Sequence, residues 1–232
     1  MNYKIEGEPM PVVLVDLEAG EAINCQKGAM SWMSANMQMD TNTGGGIGKA
    51  FSRMVSGEKL FQNTYIAQGG NGHIAFASAF TGSIRAFEIA PGKSIIAQKS
   101  AYLAATTGVE FSIAIQKKIG GGFFGGEGFI MQKFAGQGIA FLEFDGYVKE
   151  YELAAGQKII IDTGYLAAMD ETVTMDVETV GGKGLGMIKN AALGGEGLFN
   201  TTVVGPGKIW IQSMPVAKMA ETLRPFFTTS SN

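Results

Sequence analysis

The sequence predicts an all-β protein built from three tandem repeats and a short C-terminal helix. Three observations lead there. Glycine clusters recur at a fixed interval, and the segments between them alternate apolar and polar residues. Helical periodicity is confined to the C-terminus. The 232 residues are read as one compact unit. The repeats fall at about 9–81, 82–145 and 146–212, with a helix and tail over 213–232.

The repeat rests on several anchors that keep step. "GEKLF", "GEGF" and "GEGLF" place Glu58, Glu127 and Glu196 at equal spacing. "LEAGE", "IAPGK" and "LAAGQ" place Gly20, Gly92 and Gly156, each followed at one common distance by Gly28, Ser100 and Gly164. A third set is looser in the first copy, with Gly138 and Gly207 eleven residues after their glutamates and Gly72 fourteen after Glu58; each is followed four residues later by an apolar residue, Phe76, Leu142 or Ile211. Periodic self-similarity of this kind marks a repeat architecture, in which one unit cannot bury its apolar surface alone.

Within each copy the pattern is strand and turn. In "VTMDVETV" Val173, Met175 and Val177 fall on one face, and Thr174, Asp176 and Glu178 on the other, a period of two. "GVEFSIAIQ", "GKIWIQS", "HIAFASAF", "GSIRAFEI", "GIAFLEF" and "YVKEYEL" are short, β-branched or aromatic, and bounded by turn residues. The best helix is "MPVAKMAETLRPFF", residues 214–227. Pro215 suits a first turn and Pro225 a stop, and Val216, Met219 and Leu223 share one side. A short helix packed on the sheets is expected, with a partner-binding helix as the alternative.

Composition narrows the function classes. Glycine contributes 34 residues and charged residues only 17%, against the ~25% usual in soluble domains. The formal net charge of -3 and the lack of a long basic run make nucleic acid an unexpected partner. The single cysteine, Cys25, forms no disulfide within the chain and is expected to be half-buried. No apolar stretch reaches the ~20 residues of a membrane helix, and the first residues lack a signal-peptide pattern. The expectation is a cytoplasmic protein that forms a homo-oligomer, with unidentified protein partners and peripheral membrane contact as an option.

The central "GGGFFGGEGF", the third-copy "GGEGLFNTTVVGPGKIWIQSMP" and the "GYLAA" patch resemble a widespread family of prokaryotic proteins. Its eukaryotic relatives are the mitochondrial biogenesis ("altered inheritance of mitochondria") proteins. The resemblance covers about residues 5–225. It implies three fused β-sandwich repeats, each similar to the subunit of the tryptophan RNA-binding attenuation protein (TRAP-like), in a pseudo-threefold arrangement. It carries over no catalytic residue, and tryptophan or RNA binding does not follow from fold.

Candidate sites are few. Gly120 to Gly125 match G-x-G-x-x-G, but strand-like "FIMQKF" follows where a dinucleotide site needs a helix. "TGGGIGKA" has Ala50 where a P-loop needs Ser or Thr, and "GGKGLGMIK" fails similarly. The methionines Met30, Met33, Met37 and Met39 suit a core or an adaptable interface. His73, the only histidine, is read as a strand-start residue. Glu58, Glu127 and Glu196 form a symmetric set that binds a cation only if the three converge. Phe123 and Phe124, beside Lys117 and Lys118, form an apolar tip near cations, a candidate contact surface. No catalytic residue, cofactor or resident metal is expected. The leading reading is a non-enzymatic scaffold or interaction protein. A small-molecule or metal-binding module using inter-repeat clefts is the alternative, and an RNA-binding module is the weaker one.

Overall fold

In β2 (Val12–Leu17), Val13, Val15 and Leu17 are buried while Asp16 is exposed. Strands alternate their side chains between two faces, so this pattern presses one face onto a core. The same logic recurs along the chain. A computed structural model describes residues 1–40, 62–117, 128–179 and 199–227.

Among the described residues, the eighteen strands after β1 (Asn2–Glu6) sort by their pairings into three sets of six. The first set is β2, β3 (Ala22–Gln26), β4 (Met30–Met33), β5 (Met37–Asp40), β6 (Gln62–Ala67) and β7 (Gly72–Ala77). The second is β8 (Gly82–Ile89), β9 (Ile95–Gln98), β10 (Tyr102–Thr106), β11 (Val109–Lys117), β12 (Phe129–Gly136) and β13 (Gly138–Asp145). The third is β14 (Val148–Leu153), β15 (Lys158–Asp162), β16 (Leu166–Asp170), β17 (Thr174–Thr179), β18 (Phe199–Val204) and β19 (Gly207–Gln212).

In every set the sixth strand lies between the first and the third. The fifth lies between the second and the fourth. All pairings are antiparallel. Gly20, Gly92 and Gly156 occupy the turn from first to second strand, each with positive φ. That conformation is costly for a residue with a Cβ. The third strand carries a bulge in each set, after Met30, Tyr102 and Leu166. The residues opposite these three are Phe76, Leu142 and Ile211.

Sets are joined by their sheets. β3 of the first set pairs with β10 of the second, and β9 of the second pairs with β16 of the third. Two six-stranded sheets result, ordered β5-β6-β3-β10-β13-β8 and β11-β12-β9-β16-β19-β14. The other described sheets are a four-stranded one, β1-β2-β7-β4, and a three-stranded one, β15-β18-β17.

Each set holds its own core. Val13, Ile23, Tyr65, Ile74 and Phe76 pack in the first, Ile95, Tyr102, Phe134 and Leu142 in the second, and Leu153, Leu166, Val203 and Ile209 in the third. Junction strands serve two cores at once. Phe141 faces the first core while Ala140 and Leu142 face the second. Likewise Ile96 faces the third core while Ile95 and Ala97 face the second. Burial on both faces explains the apolar, alanine-rich runs "YLAAT" and "LAAMD".

Two expectations need correction. Cys25 is completely buried, not half-buried, because β3 is an internal strand at a junction. Burial pushes its thiol pKa up to about 12, so the reactive thiolate is suppressed. The C-terminal helix is shorter than expected and is not packed along its length. Helix α1 (Val216–Leu223) runs into a single 3-10 turn, Arg224–Phe226, and none of the α1 residues is buried. Its first four residues are half-buried and its last four exposed, and among the described residues it is anchored at its start by the Val216 N–H bond to Asp145.

Candidate functional site

Two polar clusters stand out among the described residues. The first lies across β2 and β7, where the register sets Asp16 opposite His73. His73 Nδ1 is 2.8 Å from Asp16 Oδ1, and both side chains reach solvent. Ser34 follows β4, and its hydroxyl oxygen accepts the His73 backbone N–H at 2.9 Å while donating to Asn36 Oδ1 at 2.8 Å. The Asn36 amide donates to the carbonyls of Gly70 and Asn71 at 3.2 and 3.0 Å. The serine hydroxyl is thus committed to the strand-start backbone and not to the imidazole. A Ser-His-Asp relay requires the opposite arrangement. A cleft of about 360 Å³ opens beside these groups, lined by Met1, Asn2, Asp16, Ser34 and His73 among others. It lies between the first set and the N-terminal residues Met1 and Asn2.

The second cluster is on β13, where Glu143 and Asp145 share one face. Glu143 Oε2 accepts the Ser78 hydroxyl at 2.8 Å and the Ala79 N–H at 3.1 Å. Asp145 Oδ2 accepts the Val216 N–H at 3.1 Å, and its backbone N–H donates to Gln212 Oε1. These two carboxylates tie down the link between the first two sets and the first residue of α1. Burial raises the pKa of both; for Glu143 the bonds from Ser78 and Ala79 oppose the shift, and for Asp145 the bond from Val216 does.

A raised folded-state pKa means that the folded chain holds its proton to higher pH than the unfolded chain. The associated stability is complete below the ordinary value of 4.5 for Glu143 and is lost as pH rises through the folded value. Glu143→Gln keeps an acceptor for Ser78 and Ala79 but removes the charge. Its urea midpoint is therefore expected to fall less than the parent's as pH is raised from 4.5 through neutrality. An identical slope in the two proteins would exclude this role. Glu21 and Glu171 have lowered pKa values, through bonds led by the Glu18 N–H and by Lys133, and so act in the window below the ordinary value.

The sequence candidates fare unevenly. Glu58, Glu127 and Glu196, Lys118, Phe123 and Phe124, and the glycine motifs at 120–125, 43–50 and 181–189 lie outside the described residues. Lys117 is the last residue of β11. Met37 is buried, whereas Met33 and Met39 are 37% and 47% exposed. Among the described residues no group of three or more His, Cys, Asp or Glu side chains is placed to hold a metal ion. None of the described helices is long and apolar enough to cross a membrane. Sequence reasoning missed Glu143 and Asp145. Their signal was two carboxylates interrupting the otherwise apolar strand "GIAFLEFD".

The fold and these clusters define an all-β protein of joined antiparallel sheets. Comparison with known proteins makes the assignment specific. The profile described as mitochondrial biogenesis AIM24 matches residues 3–214, and the chain belongs to that family. It is similar to an uncharacterized protein of Streptococcus pyogenes serotype M6, 32% identical over 96% of this chain and 89% of the relative. It is also similar to a crystal structure of a Streptococcus pyogenes protein, with a TM-score of 0.78 and 27% identity over 97% of this chain and 99% of that one.

Proposed function

We propose that this chain is a scaffold or interaction protein that presents its C-terminal segment to a protein partner, with any membrane contact made through that partner. One observation supports the reading. Leu223, Phe226 and Phe227 are 41%, 80% and 70% exposed, on a segment fixed at its base. Pro215 is buried and the Val216 N–H is bonded to Asp145, so the segment is anchored at its start while Leu223, Phe226 and Phe227 stay exposed. Exposed apolar clusters of this kind mark interaction surfaces. Aromatic anchors dominate the binding energy of such surfaces.

The test is affinity capture from native extract, with and without membranes, using the parent and Phe226→Ser/Phe227→Ser. Partners captured by the parent are expected to be lost with the variant while the melting curve is unchanged. Capture of the same partners in equal amount by both proteins would refute the reading.

A further inference from the structure

Each set of strands offers its neighbours two edges, and the fold uses them in one fixed way. The second strand of one set pairs with the third strand of the next, as β3 with β10 and β9 with β16. Three sets in a row leave one edge of each kind over. These are β4, the third strand of the first set, and β15, the second strand of the last. Among the described residues β4 pairs only with β7, and β15 only with β18.

The two leftover edges are complementary in detail. The half-sheets β17-β18-β15 and β4-β7-β2, placed edge to edge, reproduce the strand order of the two complete six-stranded sheets. The junction registers are Ala104 opposite Cys25 and Ala105 opposite Asn24, then Ala168 opposite Ala97 and Met169 opposite Ile96. The equivalent pairs at the missing junction are Trp32 opposite Ile161 and Met33 opposite Ile160. Ala104, Ala105, Ala168 and Met169 are all essentially buried, and Ile96 is 8% exposed. Their counterparts Trp32, Met33 and Ile160 are 50%, 37% and 69% exposed. Ile96 enters the core of the set that follows its own. Ile160 occupies the same position with no set following it.

Edge composition sets β4 apart. Natural sheets guard free edges with charge. The edge strands β1, β5, β8, β11, β14 and β17 all carry charged residues within them or at their ends. β4 reads "MSWM" and carries none, and β15 reads "KIIID", with three isoleucines between its charged ends.

We infer that β15 of one copy pairs with β4 of a second copy, so that this protein assembles head to tail through a third junction of the same kind. The two edges of a single chain are both open to solvent, so one chain does not satisfy itself. A second copy presents the required edge with the required register. Such a contact is heterologous and builds rings or open arrays. This inference stands independently of what the C-terminal segment binds.

The test uses two single variants, Met33→Lys on β4 and Ile160→Lys on β15, with mass in solution measured by light scattering across a dilution series. Both positions are surface-exposed, and a melting curve checks that each variant folds. The parent is expected to exceed the mass of one chain. Each variant alone is expected to run as a single chain. A mixture of the two is expected to form a two-chain complex, because each supplies the edge the other lacks. A second measurement uses Met33→Cys and Ile160→Cys as separate chains. Oxidation of the mixture is expected to give a cross-linked dimer that neither forms alone. A parent that stays a single chain at every concentration would overturn the inference, as would a parent assembly that both lysine variants retain. A chain carrying both cysteines that cross-links only within itself would also overturn it, since that would show closure of one chain on itself.

Discussion

Replacing Phe141 with alanine is expected to lower the stability of the folded chain by about 3–5 kcal/mol, the range for a buried phenylalanine truncated in a core. Phe141 is fully buried and lies on β13, an internal strand of a six-stranded sheet. Its ring packs in the first core with residues of two sets, Val13 and Ile74 from one and Ile84 and Leu103 from the other. Tyr3 of β1 meets it edge-on with ring centroids 5.0 Å apart. The strand is fixed by backbone pairing to β8 and β10, so its neighbours cannot collapse into the space left behind. The cavity term is therefore near the upper end of its range. For a chain of this size each kcal/mol shifts the melting temperature by about 2–4 °C, so a fall on the order of 10 °C is expected. Phe80→Ala serves as the comparison, since Phe80 is 43% exposed and should change little. Differential scanning calorimetry of the three proteins decides the matter. A Phe141 variant melting within a degree or two of the parent would show that the first core does not depend on this ring.

Local patterns were legible in the sequence and long-range pairings were not. The period-two run begins at Val173, just before β17, and in β17 Met175 and Val177 lie on the inward face while Thr174, Asp176 and Glu178 are exposed, because a pleated strand must alternate. The turn positions of Gly20, Gly92 and Gly156 were equally visible, since a left-handed turn selects glycine. Asp16 and His73 are 57 positions apart, and nothing local brings them together. Only the pairing of the first and sixth strands does so. Cys25 was misjudged for a related reason. Half-burial assumes one solvated face, whereas a junction strand such as β3 is covered by two sets. The C-terminal helix showed its amphipathic pattern, but a pattern specifies a face and not whether anything covers it. Of the candidate site, Glu143 and Asp145 were visible as residues, and their partners Ser78 and Val216 were not.

Gly138→Ala is expected to be nearly as damaging as the loss of Phe141. Gly138 opens β13 with φ of +144°, a conformation that side chains rarely adopt. A strained backbone position of this kind costs on the order of 1–3 kcal/mol. The added methyl would also collide with the Thr106 hydroxyl, which accepts the Ile139 N–H at 3.0 Å, and would press on Val109 Cγ2 at 3.3 Å. Overpacking adds about 1–3 kcal/mol more, and displacing Thr106 disturbs the end of β10 next to the junction with β3. The two costs separate experimentally. Gly92 has φ of +78° but open space around its missing Cβ, so Gly92→Ala should incur the backbone strain alone. Gly138→Ala with Thr106→Ala should recover part of the loss by removing the collision with the hydroxyl, less the cost of the lost Ile139 bond, while leaving the strain and the Cβ contact at 3.1 Å. Chemical denaturation of the four proteins measures both terms. If Gly92→Ala and Gly138→Ala lose the same stability, the close approach of β13 to Thr106 contributes nothing, and strain alone explains the glycine at this strand start.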